Sequence, residues 1–212
     1  MTTKIKFCGL TRPCDIEAVN ELRPDYIGFV FAKKSRRYVT PETAGELKKL
    51  LDPSIPAVGV FVNETVETVA QLLNEGIIDI AQLHGNEDED YIRRLRTFTG
   101  KPVIKAYKLE NVSVAAETVP TNILNTALSC SADHILLDSG AGCGITFNWE
   151  LLKGFTKPYF LAGGLSPENA EEAVKMLHPF ALDVSSGIET DGVKDNAKMA
   201  AFIAAVKRGE QT

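Results

Sequence analysis

The chain has 212 residues, of which 44% are hydrophobic and 24% charged. That balance excludes global disorder and, at about 100–200 residues per domain, points to a single domain spanning 1–212 with room for a sizeable core. There are 23 basic and 28 acidic residues, for a net charge of −5. An acidic balance without a basic patch argues against gripping a polyanion, so no nucleic-acid partner is expected.

The longest apolar run, Met199–Val206, has eight residues, where a bilayer span needs about 20. The start, Met1–Leu10, lacks the apolar stretch of a secretory leader. The expectation is a cytoplasmic protein with no membrane partner.

In chain order, short apolar or β-branched runs alternate with amphipathic stretches. The runs are Ile5–Cys8, Tyr26–Phe31, Ala57–Val62, Ile80–His84, Val103–Tyr107, His134–Asp138, Tyr159–Ala162 and Ala181–Ser185. Several are apolar at consecutive positions, as strands buried on both faces require. Thr40-Pro41-Glu42 supplies a cap, a first-turn proline and an acid ahead of Ala44, Leu47 and Leu51. Ser166-Pro167-Glu168 predicts the same ahead of Ala170, Val174 and Leu177. Val66, Val69, Ala70 and Leu73 form a helical stripe that Gly76 can end. Glu110–Ala132 reads as one irregular helix with an extra turn, and Asn148–Gly154 fits only one or two helical turns.

Eight strand–helix repeats allow a closed (β/α)8 barrel or an open doubly wound sheet. The count of eight favours the barrel, compact at this length. The first strand is followed by Cys8-Gly9-Leu10-Thr11 rather than a glycine-rich dinucleotide turn. In a barrel the chemistry sits at the carboxyl ends of the strands, and the unusual residues gather there. They are Cys8-Gly9, Lys33-Lys34-Ser35-Arg36-Arg37, Gln82-Leu83-His84-Gly85, Asp138-Ser139-Gly140, Gly163-Gly164 and Ser185-Ser186-Gly187.

Gly163, Gly164, Ser185, Ser186 and Gly187 follow the last two strands, where backbone N–H groups can converge on a phosphate. The alternative for a lone Gly-Gly pair is a tight turn; the pairing of the two loops favours the phosphate. Asp138 closes an apolar strand and can act as an acid once partial burial raises its pKa, or serve as a loop cap. Asp183, by alternation from Ser185, can face the barrel interior, which suits an orienting role beside the substrate. The Lys33–Arg37 run is ordinarily a solvated loop, but over a barrel mouth Arg37 can fork a substrate carboxylate. His84 is ordinarily a satisfied rim histidine.

The four cysteines, Cys8, Cys14, Cys130 and Cys143, are separated by five, 115 and twelve residues, which matches no zinc pattern. They are expected as free thiols. No metal and no cofactor is expected.

The sequence resembles the phosphoribosylanthranilate isomerase family over essentially its whole length. The resemblance is carried by seven ordered blocks. They are Lys6-Phe7-Cys8-Gly9-Leu10-Thr11, Gly28-Phe29-Val30-Phe31 with Lys34-Ser35-Arg36-Arg37-Tyr38, Gly59-Val60-Phe61-Val62-Asn63 and Gln82-Leu83-His84-Gly85. They continue with Leu136-Leu137-Asp138, Leu161-Ala162-Gly163-Gly164-Leu165 with Pro167-Glu168-Asn169, and Asp183-Val184-Ser185-Ser186-Gly187-Ile188-Glu189.

The resemblance implies a (β/α)8 barrel that carries out an Amadori rearrangement of a small phosphosugar in tryptophan biosynthesis, as a monomer or homodimer. It implies Cys8 as general base, Asp138 as general acid, Arg37 as partner of the anthranilate carboxylate, and the glycine-rich turns as the phosphate cradle. A thiol of ordinary pKa about 8.5 is mostly protonated at neutral pH, and nearby positive charge raises its thiolate fraction. Gly140–Trp149 is a shortened, altered version of the family's glycine-rich loop, with Asn148 in place of the usual Asp and Ile145 where a polar residue is common.

Two rival readings are weaker. A metal-dependent phosphosugar epimerase wants converging histidines, and the three here are scattered at 84, 134 and 178. A catalytically dead phosphate binder would keep the glycines and lose the acid or the base, yet both are present.

Overall fold

A computed structural model describes residues 2–109, 121–140 and 149–211. Its first half runs β1 (Lys4–Cys8), α1 (Pro13–Leu22), β2 (Tyr26–Val30), α2 (Pro41–Leu50), β3 (Ala57–Phe61), α3 (Val66–Asn74), β4 (Ile80–Leu83) and α4 (Glu89–Phe98). Then come β5 (Val103–Lys108), α5 (Thr121–Ser129), β6 (His134–Asp138), a 3₁₀ turn (Trp149–Leu152), β7 (Tyr159–Ala162), α6 (Ala170–Leu177) and β8 (Ala181–Val184). A 3₁₀ turn (Ser186–Ile188), the short strands β9 (Glu189–Thr190) and β10 (Val193–Lys194), and α7 (Asn196–Gly209) end the chain.

The strands β1 to β8 are hydrogen-bonded in sequence order as a closed barrel, the (β/α)8 class expected. Each lies within one residue, at either end, of the apolar run that predicts it. The chain's internal contacts divide it into two compact units. An amino-terminal one comprises Lys6–Ala106 with Ser131–His134, and a carboxy-terminal one comprises Met1–Ile5, Tyr107–Cys130 and Ile135–Thr212.

In the amino-terminal unit β2, β3 and β4 are buried at every residue, which is why their sequences run apolar without alternation. Parallel ladders set Cys8 opposite Gly28, Gly28 opposite Val58, and Val60 opposite Gln82. Thr40 caps α2 by accepting from the Thr43 N–H, with Pro41 at the first helical position as predicted. Gly76, in the left-handed region at φ 73°, directly follows the last turn of α3.

One clamp occurs twice in this unit. Asp79, just before β4, accepts from the Ala57 N–H that opens β3 (2.8 Å) and from Lys48 Nζ of α2 (2.6 Å). Asp133, just before β6, accepts from the Val103 N–H that opens β5 (2.8 Å) and from Arg96 of α4 (3.0 Å). Each carboxylate satisfies a strand's first donor and ties the preceding helix to it.

In the carboxy-terminal unit the ladders set Asp138 opposite Ala162 and Ala162 opposite Asp183. Helix α6 starts at Ala170, later than Ser166-Pro167-Glu168 predicts, with Asn169 at the cap position. The Asn169 side chain is committed to the loop before it, accepting from the Ser166 N–H (2.8 Å) and donating to the Gly164 carbonyl (2.9 Å). Ser166 to Asn169 therefore form a turn leading into the helix. Strands β9 and β10 form a hairpin whose turn residues Asp191 and Gly192 both have positive φ, 53° and 82°, as a type I′ turn requires. Residues 110–120 of the stretch Glu110–Ala132 lie outside the described residues, as do 141–148, and with them Cys143, Ile145 and Asn148. Among the described residues no helix is long and apolar enough to cross a membrane.

Each clamp is worth about 1–2 kcal/mol as a backbone donor satisfied by a charged acceptor. Asp79→Ala and Asp133→Ala should each lower the thermal midpoint by roughly 2–8 °C, read by circular dichroism. Unchanged midpoints in both variants would refute the clamp.

Candidate active site

The amino-terminal unit offers the thiol. Cys8 is the last residue of β1, 8% exposed, in a small apolar cluster with Val30 and Val60, against which Ala32 packs. It needs a bare neighbour: a Cβ on Gly28 would lie 2.7 Å from Cys8 Sγ. Beyond Cys8 the chain turns on Gly9, at φ 79°, whose N–H donates to the Gly28 carbonyl (2.8 Å). The turn is then pinned by Asp15, buried at the start of α1. Asp15 accepts from the Thr11 and Arg12 N–H groups (3.0 Å each) and from the Arg12 guanidinium (2.7 Å).

The loop after β2 separates its five charged and polar residues by environment. Lys33, Lys34 and Arg36 are exposed, as a solvated run would be, whereas Arg37 is half-buried. The Arg37 N–H donates to Ser35 Oγ (3.1 Å), and Val39 N–H donates to the Val30 carbonyl (3.0 Å), folding the loop back over the end of β2. At the end of β4, Gln82 is buried and His84 half-buried. Lys6 Nζ donates to Gln82 Oε1 (2.9 Å), and Gln82 Nε2 lies 2.9 Å from His84 Nδ1.

The carboxy-terminal unit offers the carboxyl and the glycine turns. Asp138 is the last residue of β6 and half-buried, its Oδ1 accepting from the Gly140 N–H (3.0 Å). Ser139 Oγ donates to the carbonyls of Ala162 (3.1 Å) and Gly163 (3.0 Å), tying the ends of β6 and β7 together. A Cβ on Gly163 would sit 2.5 Å from Ser139 Oγ and 2.7 Å from Asp138 Oδ1. Gly163 thus makes room for the acid as well as turning the chain. Gly164 follows, also in the left-handed region, at φ 63°.

After β8 the backbone of Gly187 presses against the β7 loop so closely that a Cβ would lie 1.9 Å from the Leu165 carbonyl oxygen. The turns after β7 and β8 are therefore brought together. Within the second turn Ser186 is exposed and Ser185 and Gly187 are half-buried. Asp183 is buried within β8.

Sequence reasoning missed the brace under this turn. Lys194 Nζ, buried, donates to the Ser185 carbonyl (2.9 Å) and to Glu189 Oε1 (2.7 Å), while Lys198 Nζ donates to the Glu189 carbonyl (2.7 Å). The Thr190 hydroxyl, followed by the Lys198 backbone N–H, holds the Asp195 carboxyl below its ordinary range at the cap of α7. The Asp191-Gly192 pair was a hairpin signal that could have revealed the brace. Cys14 is exposed and Cys130 buried, both as free thiols. Among the described residues no group of three or more His, Cys, Asp or Glu side chains is placed to hold a metal ion.

The family model for N-(5'-phosphoribosyl)anthranilate (PRA) isomerase matches residues 5–205. The N-(5'-phosphoribosyl)anthranilate isomerase of Thermoanaerobacter sp. (strain X514) is 46% identical over 209 residues, covering 96% of this chain and 98% of the relative. Among solved structures, monomers generated from the dimeric phosphoribosylanthranilate isomerase of Thermotoga maritima superpose with a TM-score of 0.82 at 34% identity. That match covers 97% of this chain and 99% of the other. A phosphoribosylanthranilate isomerase solved with reduced 1-(o-carboxyphenylamino)-1-deoxyribulose 5-phosphate gives the same TM-score, 0.82, identity, 34%, and coverage, 97% and 99%. On a family match across nearly all its length and a relative far above a third identical, the chain belongs to the N-(5'-phosphoribosyl)anthranilate isomerase family.

Proposed function

We propose that this chain is a cytoplasmic, single-domain enzyme, a monomer or homodimer. It converts N-(5-phosphoribosyl)anthranilate into 1-(2-carboxyphenylamino)-1-deoxy-D-ribulose 5-phosphate in tryptophan biosynthesis, with Cys8 as general base and Asp138 as general acid. The observation that carries the assignment is that each of these residues is the last of its strand, the end at which barrels hold their chemistry. The ligand of the solved relative is a reduced form of the same product.

Protonated Asp138 gives its proton to the ribose ring oxygen, and the bond from that oxygen to C1 breaks as the anilino nitrogen's lone pair forms an iminium. Cys8, as thiolate, removes the proton from C2, and the electrons of that bond neutralise the iminium to give an enolamine. The enolamine gains a proton at C1 and loses one from the C2 hydroxyl to become the ketone. Asp138 regains its proton and Cys8 releases its own. Atoms and electrons balance as an isomerisation. The iminium's positive charge favours the thiolate while it is needed, and each proton transfer contributes about 10²–10⁴-fold.

Substrate recognition divides by chemistry. Gly163, Gly164, Ser185, Ser186 and Gly187 cradle the phosphate, with close backbone approach in place of side chains. Arg37 forks the anthranilate carboxylate, a role supported by its partial burial among exposed basic neighbours. Asp183, buried in β8, orients this end of the barrel rather than meeting solvent.

Loss of the substrate's fluorescence after mixing with freshly made phosphoribosylanthranilate reads the activity directly. Cys8→Ala and Asp138→Asn should each lower kcat by at least about 100-fold with unchanged circular dichroism; full activity in either removes that residue from the acid–base pair. Arg37→Ala should raise KM by about 10–100-fold, the worth of a charge-assisted contact, and unchanged kinetics would take Arg37 out of the site. Inorganic phosphate should inhibit competitively, and no competition at high phosphate would count against the glycine cradle.

A further inference from the structure

The chain Lys6–Gln82–His84 fixes more than a position. Amide oxygen and nitrogen are often ambiguous, as is the protonated nitrogen of a histidine, but here the ends of the chain remove the choice. Lys6 is wholly buried, and its ammonium can only donate. The Gln82 atom 2.9 Å from it must therefore be the oxygen. That leaves the Gln82 NH₂ facing His84 Nδ1 at 2.9 Å. An amide NH₂ only donates, so Nδ1 must supply a lone pair. A neutral imidazole that accepts at Nδ1 carries its hydrogen on Nε2. An imidazolium, a donor at both nitrogens, would leave the amide facing another donor.

The rest of the surroundings hold this arrangement still. Gln82 lies within β4 and opposite Val60 in the ladder, and the His84 backbone N–H donates to the Phe61 carbonyl (2.8 Å). The backbone on both sides of the amide–imidazole contact is thus committed to neighbouring strands.

We propose that Lys6 and Gln82 are positioning residues that lock His84 as the neutral Nε2–H tautomer. His84 then acts toward the substrate as a hydrogen-bond donor and has no lone pair free to serve as a base. This rests on the isomerase reading for its functional half, and it explains why a histidine at the same strand ends does not compete with Cys8 for the C2 proton. Its structural half stands without that reading.

The test is a long-range ¹H–¹⁵N spectrum of the ¹⁵N-histidine-labelled full chain, with the His84 signals identified by their loss in His84→Gln. Expected are a protonated, pyrrole-type Nε2 and an unprotonated, pyridine-type Nδ1. An unprotonated Nε2 overturns the proposal whatever the enzyme's activity. In Gln82→Glu a carboxylate that accepts from both sides replaces the amide, so the proton should appear on Nδ1; an Nδ1 that stays unprotonated in the folded variant removes Gln82 from the lock. His84→Ala should lower kcat/KM about tenfold, the worth of one hydrogen bond. His84→Gln, which keeps an N–H donor and has no base, should recover most of that loss. Equal losses in the two variants would overturn the donor role and leave the acid–base pair to be judged by its own substitutions.

Discussion

At Gly187 the main chain comes so near the carbonyl oxygen of Leu165 that a side chain of any kind is excluded, since its first carbon would lie 1.9 Å away. The same constraint recurs at Gly163, which leaves space for Asp138, and at Gly28, which leaves space for the Cys8 sulfur. At Gly28 and Gly163 a strand end carrying a functional group lies against a residue with no Cβ; at Gly187 the neighbour is the loop after β7. At Gly187 no rearrangement of side chains can relieve backbone that close, whereas at Gly28 and Gly163 the nearest atoms are the side chains of Cys8, Ser139 and Asp138 themselves. The glycines thus do two jobs that sequence alone does not separate. They let the chain turn with positive φ, as at Gly163, and they give Asp138 and the Cys8 thiol room to stand at the ends of their strands.

A second level of support is electrostatic and lies in the turns after β1 and β8. Asp15 gathers the amides of the turn after Cys8, and Lys194 gathers the carbonyl of the turn after β8. Each buried charge meets backbone dipoles as well as an opposite charge, which is how such groups escape the desolvation cost of isolation.

Much of this was legible in the chain. The eight strands could be read to within a residue because burial on both faces writes itself as mostly apolar runs, and Thr40 announces α2 because its cap is local. Ser166 misleads because a similar motif is overruled by Asn169, whose side chain turns back to Gly164 and Ser166 instead of capping its helix. The β9–β10 hairpin escaped notice since strands of only two residues carry no readable alternation, although Asp191-Gly192 marks the turn. Arg37 could be picked from its basic run by its place over a barrel mouth, with the family motif in agreement, but its partial burial is a property of the folded loop. The Lys6–Gln82 bond joins residues 76 positions apart, and nothing in either neighbourhood of the sequence announces it.

The brace beneath the last turn is also unusually local. Ser185, Glu189, Lys194 and Lys198 bond to one another within one continuous stretch, so this loop brings its own scaffolding. Such a segment is suited to being transplanted whole: spliced onto the eighth strand of another barrel, it would carry its shape along with its residues. Much of its conformation would then be inherited from neighbours in the chain rather than borrowed from the host.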